Sequence, residues 1–208
     1  MIASQLRLLI FAVDCWDGQD GEPVIYHGHT LTSKIMFKDV VEACRNYAFE
    51  KSDYPVIFSI ENHCSVEQQD RMAEHLVNIL GDLLYRHTIN QEEEQELPSP
   101  EQLKRKILIK AKRLPPTTED DEPVEPADPL EDETDGARKK KPSNISQNLS
   151  DLVNYIQAVH FDGFDNNKAK FYHMSSFGEW DTQRLLTEKD TGTKFVSYNR
   201  RQISRLGR

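Results

Sequence analysis

Three cysteines in 208 residues are too few, and odd in number, for a disulfide framework. Cys15, Cys44 and Cys64 share no metal-ligand spacing either, so they read as reduced, buried thiols of a cytosolic protein. The chain is not collagen-like, with only nine glycines. No apolar run approaches the roughly 18 residues that would span a bilayer. The short stretch Leu6 to Val13 carries an arginine and has neither a preceding charge cluster nor a small-residue cleavage site. It reads as a buried strand rather than a signal peptide. Positive charge is also scarce: 26 Lys and Arg against 35 Asp and Glu give a net charge of −9. A general basic footprint is absent, which excludes nucleic acid as the partner.

What the chain does have is enough aromatic mass for a core, with 9 Phe, 7 Tyr and 2 Trp, and a length suited to one medium domain or two small ones. Composition divides it into three. Residues 1–114 alternate strand-like and helical patterns. Residues 115–142 hold Pro115, Pro116, Pro123, Pro126, Pro129 and Pro142 among acids, followed by Arg138-Lys139-Lys140-Lys141. Between Thr117 and Lys141, ten acids and four bases make a net of −6, leaving −3 for the rest of the chain. Such a stretch buries too little apolar surface to offset its ordering entropy, so it is predicted to be a disordered linker. Residues 143–208 return to a mixed pattern.

Strands are expected over Leu8–Asp14, Pro23–His27, Val56–Ile60 and Lys106–Lys112, with a glycine-bearing turn over Trp16–Gly21. Helical spacing of Val40, Val41, Cys44 and Ala48 predicts a helix over 38–49. Ser65 with Gln68 forms a capping-box signal ahead of the stripe Met72, Leu76, Ile79, Leu80 and Leu83. Beyond the linker, Leu149, Leu152, Val153 and Ile156 suggest a helix. Val159–Phe161 and Tyr172–Phe177 suggest strands, Gln183–Lys189 a helix, and Phe195–Tyr198 an extended segment. Alternation of strand and helix is the pattern of a parallel α/β sheet or barrel.

In such a fold reactive groups gather where strands end. Asp14, His27, Glu61, Lys110 and Lys112 all fall at expected strand ends. Lys110 and Lys112, two apart on a strand, face the same way, and their repulsion is relieved by an anion such as a multiply phosphorylated ligand. Asp14 and Glu61 offer the hard oxygens that Ca²⁺ or Mg²⁺ prefers. An imidazole is the side chain whose unperturbed pKa lies near neutrality, so His27 is a candidate acid/base group. Taken singly, each carboxylate reads equally as a cap or surface charge, and His27 as a structural histidine. His29, His63, His75, His87, His160 and His173 are read as structural. The spacing alone reaches an anion-binding α/β domain with a candidate metal requirement.

Longer motifs carry more. Val13-Asp14-Cys15-Trp16-Asp17-Gly18, Pro23-Val24-Ile25-Tyr26-His27-Gly28-His29-Thr30-Leu31-Thr32 and Tyr54-Pro55-Val56-Ile57-Phe58-Ser59-Ile60-Glu61-Asn62-His63-Cys64 together resemble the X region of eukaryotic phosphoinositide-specific phospholipase C. Leu97-Pro98-Ser99-Pro100 and Lys106-Ile107-Leu108-Ile109-Lys110 add to the likeness. Val159-His160-Phe161 and Met174-Ser175-Ser176-Phe177 resemble the start of its Y region. The short linker is similar to delta-like rather than gamma types. The resemblance implies a TIM-type barrel split into X and Y halves by the linker, incomplete in this chain. It also implies cleavage of phosphatidylinositol 4,5-bisphosphate to diacylglycerol and inositol trisphosphate with Ca²⁺, through a cyclic phosphodiester. By motif, His27 resembles a catalytic histidine, and Asp14 and Glu61 resemble Ca²⁺ ligands. Lys110, Lys112, Ser176 and Arg205 resemble the residues that hold the ring phosphates. Expected partners are membrane phosphoinositide lipid and inositol phosphates, at a cytoplasmic, peripheral membrane location; no regulatory protein partner is identified.

The departures set further expectations. The sequence holds no Ser-His-Asn-Thr-Tyr motif, which in the family supplies a first histidine and a Ca²⁺-binding Asn. Ala12 stands where the family has Glu, so two expected Ca²⁺ ligands are missing and a weakened Ca²⁺ site follows. Met1–Ala12 is atypical, and after Ser204-Arg205 the family's Ile-Tyr-Pro run is replaced by Leu206-Gly207-Arg208. The expectation is a chain truncated at both ends and inactive alone. The alternatives are a catalytically dead phosphoinositide or inositol-phosphate binding module, an interaction partner acting through the acidic linker, and a metal-dependent phosphodiesterase of another specificity.

Overall fold

The computed structural model describes residues 9–28, 32–90, 92–94, 96–114, 144–164, 170–187 and 190–206. The expected linker therefore lies outside the described residues, as do His29 and most of Met1–Ala12.

In chain order the elements are β1 (Leu9–Trp16), β2 (Val24–Ile25), β3 (Ile35–Met36), α1 (Phe37–Tyr47), β4 (Val56–His63), α2 (Val66–Leu80) and β5 (Ile107–Lys110). After the undescribed stretch come α3 (Gln147–Ser150), β6 (Gln157–Val159), β7 (His173–Phe177), α4 (Glu179–Thr187), α5 (Thr191–Asn199) and β8 (Ile203–Leu206). The first sheet has the order β3-β2-β1-β4-β5 and the second β6-β7-β8. β1, β4 and β5 run parallel, as do β6, β7 and β8. A parallel bridge from Ala111 to Gln157, with Ala158 N–H donating to Ala111 O at 3.0 Å, joins the two sheets. The result is a run of six parallel staves with helices outside, the α/β barrel arrangement of X and Y halves that the sequence predicts.

Strand alternation sorts the core into layers. Val13, Cys15, Val56, Phe58, Ile60, Ile107 and Ile109 face outward and pack on Phe37, Val41 and Cys44 of α1 and Met72, Ala73, Leu76 and Leu80 of α2. Ile57, Leu108, Ile156 and Met174 form a second cluster on the opposite, inner face. A third, aromatic cluster closes the outside of the second half, where Phe161 meets Phe177 at 4.7 Å and Ser175 Oγ lies 2.8 Å from Tyr198 Oη. Among the described residues, strand pairing on the far edge of β1 is limited to Cys15 and Trp16, and Ile10 and Phe11 beyond them are 38% and 42% exposed.

Several expectations need correction. The Phe195–Tyr198 segment is helical, inside α5, and the extended segment is Ile203–Leu206. A short aromatic and β-branched run carries no period that separates strand from helix. Pro23–His27 contracts to Val24–Ile25 and pairs antiparallel with β1, so it is a rim hairpin and not a stave. The helix expected through Ile156 ends at Ser150. At Ser65 the cap itself forms, with Ser65 Oγ accepting from Gln68 N–H, yet the reciprocal half of a capping box does not. Ser65 N–H donates instead to Asp17 Oδ1 at 2.9 Å. The Gln68 amide pairs with Gly18, accepting from its N–H and donating to its O at 3.0 Å each. Gly18 is required there, because a Cβ would sit 2.0 Å from Glu22 O.

A buried amide also ties the two halves together. Gln69, 0% exposed, donates to Cys64 O at 2.8 Å and Asn144 O at 2.7 Å, and accepts from Ser146 N–H at 2.9 Å. Beside it Asp70 accepts from Ser146 Oγ and from Asn148 Nδ2. Gln69→Leu strands three backbone groups in a dry interior and is expected to destabilise the fold by about 3 kcal/mol, read as a lowered urea midpoint. A change under about 1 kcal/mol would mean that water replaces the amide.

All three thiols are buried. Burial pushes Cys44 up to about 11 and Cys64 up to about 12, the latter helped by the Asp17 carboxylate. Cys15 is raised by burial and then by the Cys64 thiol, Asp14 and Glu61. The thiolate is the nucleophile, so the folded chain is expected to be inert to a disulfide reagent at pH 8 and to titrate all three thiols on unfolding.

Candidate functional site

Because the staves are parallel, their C-terminal ends share one rim. Register fixes which side chains stand together there. Asp14 pairs with Glu61 and Ser59 with Lys110 across the first sheet, and Ser176 pairs with Arg205 across the second. Paired residues point to the same face, here the inner one that Ile57 and Leu108 occupy one turn of the pleat below. Arg205 then spans the interior: its Nη1 donates to Ser59 Oγ at 3.2 Å, tying β8 to β4.

This brings three cations toward each other. Lys110 is pulled down to about 8, first by burial, then by the Arg205 guanidinium and, more weakly, by Lys112, while the Glu61 carboxylate opposes the fall. Lys110, Lys112, Arg205 and Glu61 thus share one electrostatic environment, and Ser176 is adjacent to Arg205 in register. Asp14 and Glu61 form a carboxylate pair on neighbouring strands. His27 is exposed and follows Tyr26, whose N–H donates to Asp14 O at 3.3 Å. It sits on the rim hairpin rather than at the end of a stave.

Two residues that the sequence pattern does not single out belong to this rim. Ser59 is hidden as one member of a buried strand run, although its position two before Glu61 gives it the same face. His63, two after Glu61, ends β4 with its Nε2 3.3 Å from Glu61 Oε1 and its ring stacked on Trp16 at 4.1 Å and 16°. The other histidines differ. His75 pairs with Glu22 at 2.8 Å and His87 with Glu94 at 2.8 Å, while His173 is held neutral by burial, down to about 4.

Among the described residues no three His, Cys, Asp or Glu side chains converge as a ready metal cage. Asp14 and Glu61 nevertheless fit a hard divalent cation in kind: two carboxylates, in register, half-exposed to the rim. Ca²⁺ commonly completes such a shell with water and ligand oxygens. Ala12, on the same face two residues earlier, offers no donor.

Comparison with known proteins gives the chain its class. Residues 6–113 match the X domain of phosphatidylinositol-specific phospholipase C, and residues 149–207 match its Y domain. The chain belongs to the phosphatidylinositol-specific phospholipase C family, whose members are phosphodiesterases. Over 93% of its length it is 44% identical to the 1-phosphatidylinositol 4,5-bisphosphate phosphodiesterase delta-3-A of Danio rerio and 44% identical to the delta-1 enzyme of Homo sapiens. It spans 26% and 28% of those two relatives. The crystal structure of L. pealei PLC21 superposes with a TM-score of 0.75 at 38% identity, covering 96% of this chain and 25% of that one. S. officinalis PLC21 gives 0.74 at 37%, covering 95% and 25%.

The buried ammonium has a testable cost. An ordinary lysine titrates near 10.5 and Lys110 near 8. Below pH 8 the folded state holds an unfavourable charge, and the unfolded state binds the proton more tightly. Stability therefore rises as pH climbs from 8 to 10.5. Lys110→Met is expected to stabilise the chain at pH 7 by on the order of 3 kcal/mol, with the gain shrinking toward pH 10.5 in urea melts. Equal gains at pH 7 and pH 10 would show that packing, not charge, is responsible.

Proposed function

We propose that this chain carries the headgroup-recognising rim of a phosphoinositide phospholipase C, which hydrolyses phosphatidylinositol 4,5-bisphosphate to diacylglycerol and inositol 1,4,5-trisphosphate. The observation that carries this reading is the crowding of Lys110, Arg205 and Lys112 on the inner face, with Ser59 as the neutral tie between β4 and β8. Buried like charges are costly, and a ligand bearing several phosphoryl groups turns that cost into affinity. Lys110, Lys112, Ser176 and Arg205 would hold the ring phosphates, the guanidinium giving a two-toothed grip that an ammonium cannot. Asp14 and Glu61 would hold Ca²⁺, which when bound lowers the pKa of the inositol 2-hydroxyl and offsets charge on phosphorus. His27 would move the proton between that hydroxyl and the leaving oxygen. Access to the lipid would be peripheral, from the cytoplasmic side of the membrane. No helix among the described residues is long and apolar enough to cross a membrane.

A second reading, binding without turnover, is favoured by Ala12. It faces inward next to Ser59 and supplies no carboxylate to the cation pair. Calorimetry with inositol 1,4,5-trisphosphate, paired with a vesicle hydrolysis assay, separates the two. Binding is expected, weakening at least about tenfold in Lys110→Met and weakening as pH rises past 8, where Lys110 loses its proton. Binding together with lipid cleavage supports the hydrolase; binding alone supports the module. No saturable binding at pH 7 defeats both.

A further inference from the structure

We propose that His63 is a positioning residue, which fixes the Glu61 carboxylate and, through the indole of Trp16, links it to the turn that carries His27. This rests on the reading of Asp14 and Glu61 as the cation pair, but the linkage itself is built from the chain's own side chains.

A glutamate at a strand end has three torsions to fix before its oxygens face a neighbour, and Glu61 is more than a third exposed, at 38% of its side-chain surface. His63 restrains it. The two residues lie two apart on β4, on one face, with Nε2 3.3 Å from Oε1. The imidazole is itself clamped. Trp16 and His63 are partners in the parallel register of β1 and β4, and their rings stack at 4.1 Å and 16°. Planar stacking at that separation leaves the imidazole little rotation about its second torsion.

The indole also touches the turn that carries His27. A Cβ at Gly28 would stand 2.6 Å from Trp16 Cζ2, so the backbone following His27 lies directly on the ring. Tyr26, preceding His27, leans on the same indole at 5.4 Å and 34°. His27 is therefore flanked on both sides by residues that rest on Trp16. Gly28, Trp16, His63 and Glu61 form a continuous chain of contacts from the hairpin to the carboxylate. A shift of Glu61 toward a cation moves the His63 ring, and the indole transmits that motion to the His27 turn.

The chain's two tryptophans make the stack readable. Trp180 is 85% exposed on α4, so Trp180→Phe leaves Trp16 as the sole tryptophan emitter at little cost to packing. In that background, Trp16 emission is compared for the parent, Glu61→Gln, His63→Phe and the pair combined. His63→Phe keeps a stacked ring and loses the contact to Glu61. The expected result is a change in emission on Glu61→Gln that vanishes once His63→Phe is present. Equal changes in both backgrounds overturn the proposal. His63→Gln, which keeps a polar reach to Glu61 but no stacked ring, is the second arm. CaCl2 calorimetry on the same chains should show affinity falling about tenfold in His63→Phe and less in His63→Gln. Identical Ca²⁺ affinity in the parent and His63→Phe also overturns the proposal. Absence of a Ca²⁺ heat in the parent would remove the cation reading alone, because the emission cycle needs no metal and still decides whether Glu61 and Trp16 are linked through His63.

Discussion

The register between β1 and β4 is the constraint from which the rest of the rim follows. Eight consecutive residue pairs, from Leu9 with Val56 to Trp16 with His63, run without a bulge. In a parallel pair a slip by one residue turns every side chain to the opposite face. Here a slip of β4 would send Phe58 and Ile60 into the barrel and Glu61 against the helices. The outward apolar cluster on α1 and α2 forbids it. Hydrophobic packing on one side of the sheet thus dictates the polar arrangement on the other. The carboxylate pair, the Ser59–Lys110 pairing and the Trp16–His63 stack all inherit their positions from it.

The inner face has a different character. Its lower layer, with Ile57, Leu108, Ile156 and Met174, is an ordinary core. One pleat higher the same strands present Ser59, Lys110 and Arg205, and there the fold does not relax into its most stable form. A guanidinium and an ammonium share a desolvated region with one carboxylate in opposition. Stability is forgone locally, and on the proposed reading a ligand of opposite charge restores it. The Gln69 amide contributes by holding the second half, and with it the strand bearing Arg205, against α2.

Much of this architecture is legible in the amino-acid sequence. Both long helices, the buried strand at Val56 and the cap at Ser65 follow from period and from single residues with strong local preferences. The α/β alternation is what the X and Y motifs require. The parts that are not legible have physical reasons. Phe195–Tyr198 is short, aromatic and β-branched, yet it is helical because its neighbours Leu185 and Phe164 offer a face to pack on. The inner-face role of Ser59 depends on which neighbour arrives from 146 residues away, and no local pattern encodes that. His63 reads as structural because a lone histidine near a strand end has no signature. Only the cross-strand indole reveals its setting. The partial cap at Ser65 fails as a box for a similar reason: distant Asp17 and Gly18 outcompete the local partner.

Leu114 N–H donates to Ser150 Oγ at 3.0 Å, and Asn144 is bound to Gln69, so the chain leaves the first half and re-enters the second at neighbouring points. The ends of the proline- and acid-rich stretch are therefore anchored together whatever lies between them. Closing a loop between fixed points becomes only slowly harder with length, about 0.6 kcal/mol for each doubling. Such paired anchors make the join between the halves a place where the polypeptide can be lengthened or shortened at little thermodynamic penalty, leaving the packing around Lys110 and Arg205 in place.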